Sequence, residues 1–179
     1  MEIINLVQLT DNNGKDWENA IKIYNEAFPA EERRPAEQHA QLLKNDPSYC
    51  FYIIKNESDI IGILITWKLD GVIFMDYLAT ISNTRNKGYG KKIVQKLQSI
   101  SEYPIILEVE LPDNELAQRR IGFYERLGFS IVDTNFFIPK FNNPGEKLPM
   151  YLMSFPSPIN KETAEIIIKE IHSKIYGLK

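Results

Sequence analysis

Between Tyr49 and Thr80 the chain holds three strand-like runs joined by connections too short to contain a helix, and this limits the available folds more than any other feature. The runs are Tyr49 to Lys55, Ile60 to Trp67 and Val72 to Thr80, separated by Asn56-Glu57-Ser58-Asp59 and Leu69-Asp70-Gly71. A parallel pairing needs a crossover of about a dozen residues or more. Three antiparallel neighbours are therefore expected at the heart of a sheet.

The flanking segments alternate between the two periodicities. Ile3 to Gln8 reads as a strand, and Asp16 to Phe28 as a helix with Trp17, Ala20, Ile21, Tyr24 and Phe28 at helical spacing. Pro29 ends that helix, a charged turn reaches Pro35, and a second helix is expected from about Ala36 to Lys44. Beyond Thr80 a polar loop from Ser82 to Lys87 leads into a helix carrying Tyr89, Ile93, Val94, Leu97 and Ile100. Ile105 to Leu111 is a β-branched strand, Asn114 caps a helix expected to run to Leu127, and Gly128 stops it. Phe129 to Asp133 resumes as strand. Three prolines and a glycine mark Pro139 to Pro149 as a long loop before a last strand from about Met150 to Phe155. Asn160 then caps a helix with Ile167, Ile171 and Ile175 on one stripe, which is core or a homodimer contact. This order predicts an α/β (α+β) fold: a mixed, mostly antiparallel central sheet with helices on both faces. One domain is expected over residues 1–179, with 160–179 an additional C-terminal helix.

With 179 residues, 44% of them hydrophobic, one sizeable core can form. A formal charge of -3 supplies no field that would hold the chain on nucleic acid or an anionic membrane, so neither is expected as a partner. The single cysteine, Cys50, lies in an apolar run as a buried thiol and excludes an intrachain disulfide. Met1-Glu2-Ile3-Ile4-Asn5 carries neither a basic segment nor a long apolar stretch, so a cytoplasmic location is expected. His39 and His172 have no partner at metal-ligand spacing; both read as surface residues, and no metal site is expected.

The chemistry concentrates at Arg85-Asn86-Lys87-Gly88-Tyr89-Gly90-Lys91. A strand, a polar loop and two glycines at the mouth of an amphipathic helix present unpaired backbone N–H groups to an anion. Arg85, Lys87 and Lys91 add positive charge. A Walker loop would need a glycine at Arg85 and Ser or Thr at Lys92, and a dinucleotide fingerprint a glycine at Ile93; neither pattern is met.

Preceded by Leu78-Ala79-Thr80, Arg85-x-x-Gly88-x-Gly90 resembles the acetyl-CoA pyrophosphate motif of the GCN5-related N-acetyltransferase (GNAT) superfamily. Arg120-Ile121-Gly122-Phe123-Tyr124-Glu125-Arg126-Leu127-Gly128-Phe129 is similar to that superfamily's second block, a helix ending in a tyrosine, a short turn and Gly-Phe. One position departs: the asparagine often found seven residues before the tyrosine is Ala117 here, with Asn114 out of register. The resemblance implies acetyl-CoA as co-substrate, held by the backbone of Leu78, Ala79 and Thr80 and by residues 85–91. It further implies that an amine attacks the thioester directly while Tyr124 assists the departing sulfur. The acceptor would be a small amine, an antibiotic-like molecule, a peptide N-terminus or a protein lysine; a non-catalytic acyl-CoA sensor and, third, a nucleotide-binding module are the alternatives. An ammonium must lose a proton before it can attack. Glu108, on the strand face shared with Ile106 and Glu110, is the first candidate base, and Asp76 the second. Glu31, Glu32, Arg33 and Arg34 are placed at the acceptor pocket or in a plain solvated turn.

Overall fold

The computed structural model describes residues 4–84, 87–156 and 159–178. The chain forms two compact units: the first takes the chain up to Lys68 and again from Met75 to Ile100, the second Leu69–Phe74 and everything from Ser101 onward.

In the first unit β1 (Ile4–Gln8), α1 (Gly14–Ala27) and α2 (Ala36–Asn45) precede β2 (Tyr49–Asn56) and β3 (Asp59–Leu69). β4 (Val72–Thr80) enters this unit at Met75, and α3 (Tyr89–Ile100) completes it. β1 pairs antiparallel with β2, and β2 with β3 in the register Tyr49↔Trp67 to Asn56↔Asp59. Phe51, Ile53, Ile63, Ile65 and Trp67 alternate into a fully buried layer. At Gly62 a Cβ would lie 2.2 Å from the Ala79 carbonyl oxygen, so only glycine lets β3 run this close to the end of β4. α3 buries Tyr89, Ile93, Val94 and Leu97 as its spacing predicts. Ile100, expected on the same stripe, is 54% exposed at the helix end.

In the second unit β5 (Ile105–Glu110), α4 (Glu115–Glu125), β6 (Ser130–Asp133), β7 (Phe137–Pro139) and β8 (Lys147–Phe155) are followed by α5 (Lys161–Glu170) and a π-helical turn over Ile171–Ile175. β8 organises this unit, pairing antiparallel with β5, β6 and β7. Of the stretch expected to be a loop from Pro139 to Pro149, residues 140–146 are loop, while its two ends pair as a hairpin, Phe137 with Pro149 and Pro139 with Lys147. Proline suits such an edge, where a missing N–H breaks no central ladder. Both predicted helix caps form, Asn114 Oδ1 accepting from Ala117 N at 2.9 Å and Asn160 Oδ1 from Thr163 N at 2.8 Å. Ile167, Ile171 and Ile175 are buried within the chain itself. This is the mixed, mostly antiparallel sheet with helices expected from the element order. No helix among the described residues is long and apolar enough to cross a membrane.

Candidate active site

The end of β4 and the start of α3 form the first part of the candidate site. Ile81 N donates to the Ile61 carbonyl at 3.0 Å and the Ala79 carbonyl faces Gly62, so the alternation along a strand turns the peptide groups of Leu78 and Thr80 to the other edge of β4. A short 3₁₀ turn over Ser82–Thr84 follows, closed by Thr84 N and Oγ1 on the Ile81 carbonyl. Arg85 and Asn86 lie outside the described residues. Gly88 takes φ +80°, where an L side chain is strained, and Lys92 N donates to its carbonyl as the first bond of α3. The N–H groups of Tyr89, Gly90 and Lys91 therefore stand ahead of the helical ladder.

Side chains at this mouth divide by direction. Tyr89 is buried, its hydroxyl accepting from Asn56 Nδ2 at 3.3 Å. Lys92 sits 5.3 Å from the Tyr89 ring centroid, while Lys87 and Lys91 are exposed. A cavity of about 520 Å³ adjoins the mouth, with Asn83, Thr84, Lys87 and Tyr89 in its lining.

Under α1 and α2 the same unit holds a polar cluster. Asp76 Oδ2 accepts from Trp67 Nε1 at 2.8 Å, while Oδ1 is shut off from solvent without a partner among the described residues. Burial pushes this carboxyl up to about 6, against the opposing pull of the Arg34 guanidinium and the Trp67 hydrogen bond. His39, expected at the surface, is wholly buried against Tyr24, Tyr49 and Phe51, its Nδ1 2.6 Å from the Tyr49 hydroxyl. Burial first, and the Arg34 charge second, push it down to about 3, so it is neutral. In the charged turn, Arg34 is buried with its guanidinium 5.7 Å from the Trp67 ring centroid, and the Glu32 carbonyl accepts from the Tyr77 hydroxyl. That turn is packed rather than merely solvated at these two residues. Cys50 is half-buried, with Gln8 Nε2 3.6 Å from its sulfur.

In the second unit Tyr124 closes α4, and the local geometry explains the residues around it. Phe129 N donates to the Tyr124 carbonyl at 3.1 Å and Gly128 N to the Glu125 carbonyl at 3.0 Å, with Gly128 at φ +87°. This is a Schellman stop, which needs glycine in the left-handed position and favours an apolar contact across the turn. That contact is the Tyr124 and Phe129 rings, 5.6 Å apart and edge-on. The spacing from Tyr124 to Gly128-Phe129 is thus a helix terminator that fixes the phenol. Tyr124 is 9% exposed, and its hydroxyl has no hydrogen-bond partner among the described residues. Burial pushes it up to about 12, against the weaker opposing effect of Arg120. Ala117 is buried, and Asn114 spends its side-chain oxygen on the cap.

Glu108 is half-buried on β5 opposite Leu152, and the Tyr176 hydroxyl donates to both its carboxylate oxygens at 3.1 Å. Glu110, on the same face, pairs with Arg120 of α4. Tyr176 was not singled out by the sequence; its only signal is a tyrosine one place beyond the isoleucine stripe. His172, also expected at the surface, is half-buried and stacks on Phe136 at 5.1 Å. No group of three His, Cys, Asp or Glu residues suited to a metal ion occurs among the described residues.

The family model for the acetyltransferase (GNAT) family matches residues 17–129. The Bacillus subtilis (strain 168) protein named "Putative acetyltransferase YjbC" is 32% identical over 116 residues, 64% of this chain; the match spans 56% of that protein's length. A solved structure, "Putative acetyltransferase from GNAT family from Bacteroides thetaiotaomicron", superposes with a TM-score of 0.92 at 30% identity, covering 98% of this chain and 99% of that one. A GNAT family acetyltransferase from Elizabethkingia anophelis with acetyl-CoA bound has a TM-score of 0.55 at 18% identity over 84% of this chain and 96% of that one, a likeness of fold. With the family model matching residues 17–129 and the fold superposing on a GNAT family structure, the chain belongs to the acetyltransferase (GNAT) family.

Proposed function

We propose that this protein moves an acetyl group from acetyl-CoA to a primary amine by direct attack, acting as one cytoplasmic catalytic domain over residues 1–179. The observation that carries the reading is Tyr124: its ring is buried, and its O–H, without a partner among the described residues, is a donor open to a ligand atom. The CoA pyrophosphate is assigned to the N–H groups of residues 88–91 and to the side chains of Arg85, Asn86, Lys87 and Lys91, and the pantetheine arm to the backbone of Leu78, Ala79 and Thr80. The helix end contributes roughly 0.3–1 kcal/mol per favourable charge, so the basic side chains carry much of the phosphate affinity.

In the reaction the ammonium form of the acceptor gives one proton to Glu108. The amine nitrogen then bonds to the acetyl carbonyl carbon and the C–S bond breaks. Sulfur leaves as a thiolate, and the nitrogen's second surplus proton leaves with CoA as its thiol. Full proton transfer from Tyr124 would be costly: a phenol at about 12 giving its proton to the base of a thiol near ~8.5 runs uphill by roughly 5 kcal/mol. A hydrogen bond from Tyr124 to the developing thiolate is the role this environment favours. Asp76 is a second reading for the base, because its carboxyl is held up near neutrality at about 6, where a general base works best.

Thermal unfolding with added nucleotides tests the donor. Acetyl-CoA and CoA should raise the midpoint while ATP and NAD leave it in place; the opposite ranking would sink the assignment.

A further inference from the structure

The end of the chain departs from α-helical winding at a defined place. After α5 the backbone makes a π-helical turn over Ile171–Ile175, closed by Tyr176 N on the Ile171 carbonyl at 3.3 Å. Such a turn holds one residue more than an α-helical turn. Ile171 and Ile175 remain buried across it, so the extra residue is accommodated without loss of the apolar stripe. The residue that follows is the one redirected: Tyr176 reaches β5 and donates to both oxygens of Glu108.

Several contacts fix that placement. His172 lies flat on Phe136, with ring planes 12° apart, and its Nε2 is 2.8 Å from the Phe137 carbonyl. Phe141, from the turn of the β7–β8 hairpin, stands 6.3 Å from the Tyr176 ring. Glu170 accepts from Asp70 N through both oxygens, tying the end of α5 to the start of the unit. Three segments distant in sequence thus hold the end of the chain that carries Tyr176. Charged and titratable groups described on the same elements include Glu110, paired with Arg120, and His172.

We propose that Tyr176 is a positioning residue for acetyl transfer, its hydroxyl aiming the Glu108 carboxylate and keeping it ionised until the acceptor's proton arrives. The inference rests on Glu108 as the base. The hydrogen bond from Tyr176 favours the charged form; without it Glu108 takes up a proton at higher pH and is free to swing between rotamers.

Tyr176→Phe removes the hydroxyl and keeps the ring. In ¹³C-carboxyl NMR of glutamate-labelled protein, with the Glu108 signal identified by its loss in Glu108→Gln, Glu108 should titrate at higher pH in Tyr176→Phe than in wild type. With acetyl-CoA and the fastest of spermidine, tyramine and a free-N-terminal peptide, kcat should fall about tenfold. The acid limb of the kcat/KM profile should move upward with the NMR titration while the KM for acetyl-CoA stays put. An unmoved Glu108 titration in Tyr176→Phe overturns the inference whatever the acceptor. Unchanged kcat and acid limb beside an impaired Glu108→Gln overturn it while leaving Glu108 as the base. Wild-type turnover in Glu108→Gln overturns the base itself, and the positioning role with it. Should Tyr176→Phe melt below the assay temperature, Tyr176→Met, of similar reach and without the hydroxyl, is read by the same outcomes.

Discussion

The two units bury polar groups in different ways. In the first, two titratable side chains each have one atom tied to the chain: His39 to the Tyr49 hydroxyl, Asp76 to the Trp67 indole. In the second, the Tyr124 hydroxyl is tied to nothing among the described residues. Desolvation drives all three toward their neutral forms, His39 to about 3, Asp76 to about 6 and Tyr124 to about 12. The same physical cause therefore has two uses. A tied group spends its polarity inside the fold, His39 joining α2 to β2 and Asp76 joining β4 to β3; an untied one leaves its donor open.

The sharpest way to break this contrast is Tyr124→Phe, which should lower the chemical rate on the order of 10²–10⁴-fold. Affinity for CoA by calorimetry and the melting temperature should both stay near wild type, because the hydroxyl holds nothing in the protein. A large loss of stability would place Tyr124 among the tied groups. On the other side, His39→Gln should change the pH dependence of stability. The folded His39 protonates at about 3 and the unfolded one near ~6.5, so its contribution is complete above ~6.5 and is lost as pH falls toward 3. Asp76 runs the opposite way, its carboxyl being raised: its contribution is full below ~3.8 and is lost as pH rises through about 6. Urea unfolding between about pH 4.5 and 6 should show the variant's slope differing from wild type by one proton, about 1.4 kcal/mol per pH unit. Equal slopes would mean that His39 titrates as if in water. The smallest expected effect is Asn114→Ala, about 1 kcal/mol of stability from the lost cap. Its turnover should be unchanged if α4 is held chiefly from its other end.

These tests also mark what could be read before the structure. Local rules carried far: β4 occupies the span its β-rich run gave, and both asparagine caps form where a polar residue precedes an amphipathic run. The family and fold follow from two motifs that are themselves local. What escaped depends on contacts between distant segments. His39 looks exposed on α2 alone and is buried only because Tyr24, Tyr49 and Phe51 surround it. The β7–β8 hairpin was hidden by its prolines, which are punctuation in sequence but tolerable on an edge strand. Tyr176 meets Glu108 across 68 positions through a π turn that no periodicity announces.

The Schellman stop at Gly128 has a consequence for how this protein can vary. It lies four places beyond Tyr124, and each residue of an α-helix turns the side chain by about 100°. Inserting or deleting one residue between them would leave a helix nearly as stable while swinging the phenol away from its present heading. The orientation of the Tyr124 hydroxyl is therefore stored as an integer, the count of residues to a glycine. Neighbouring side chains can drift by substitution, but that count cannot drift gradually.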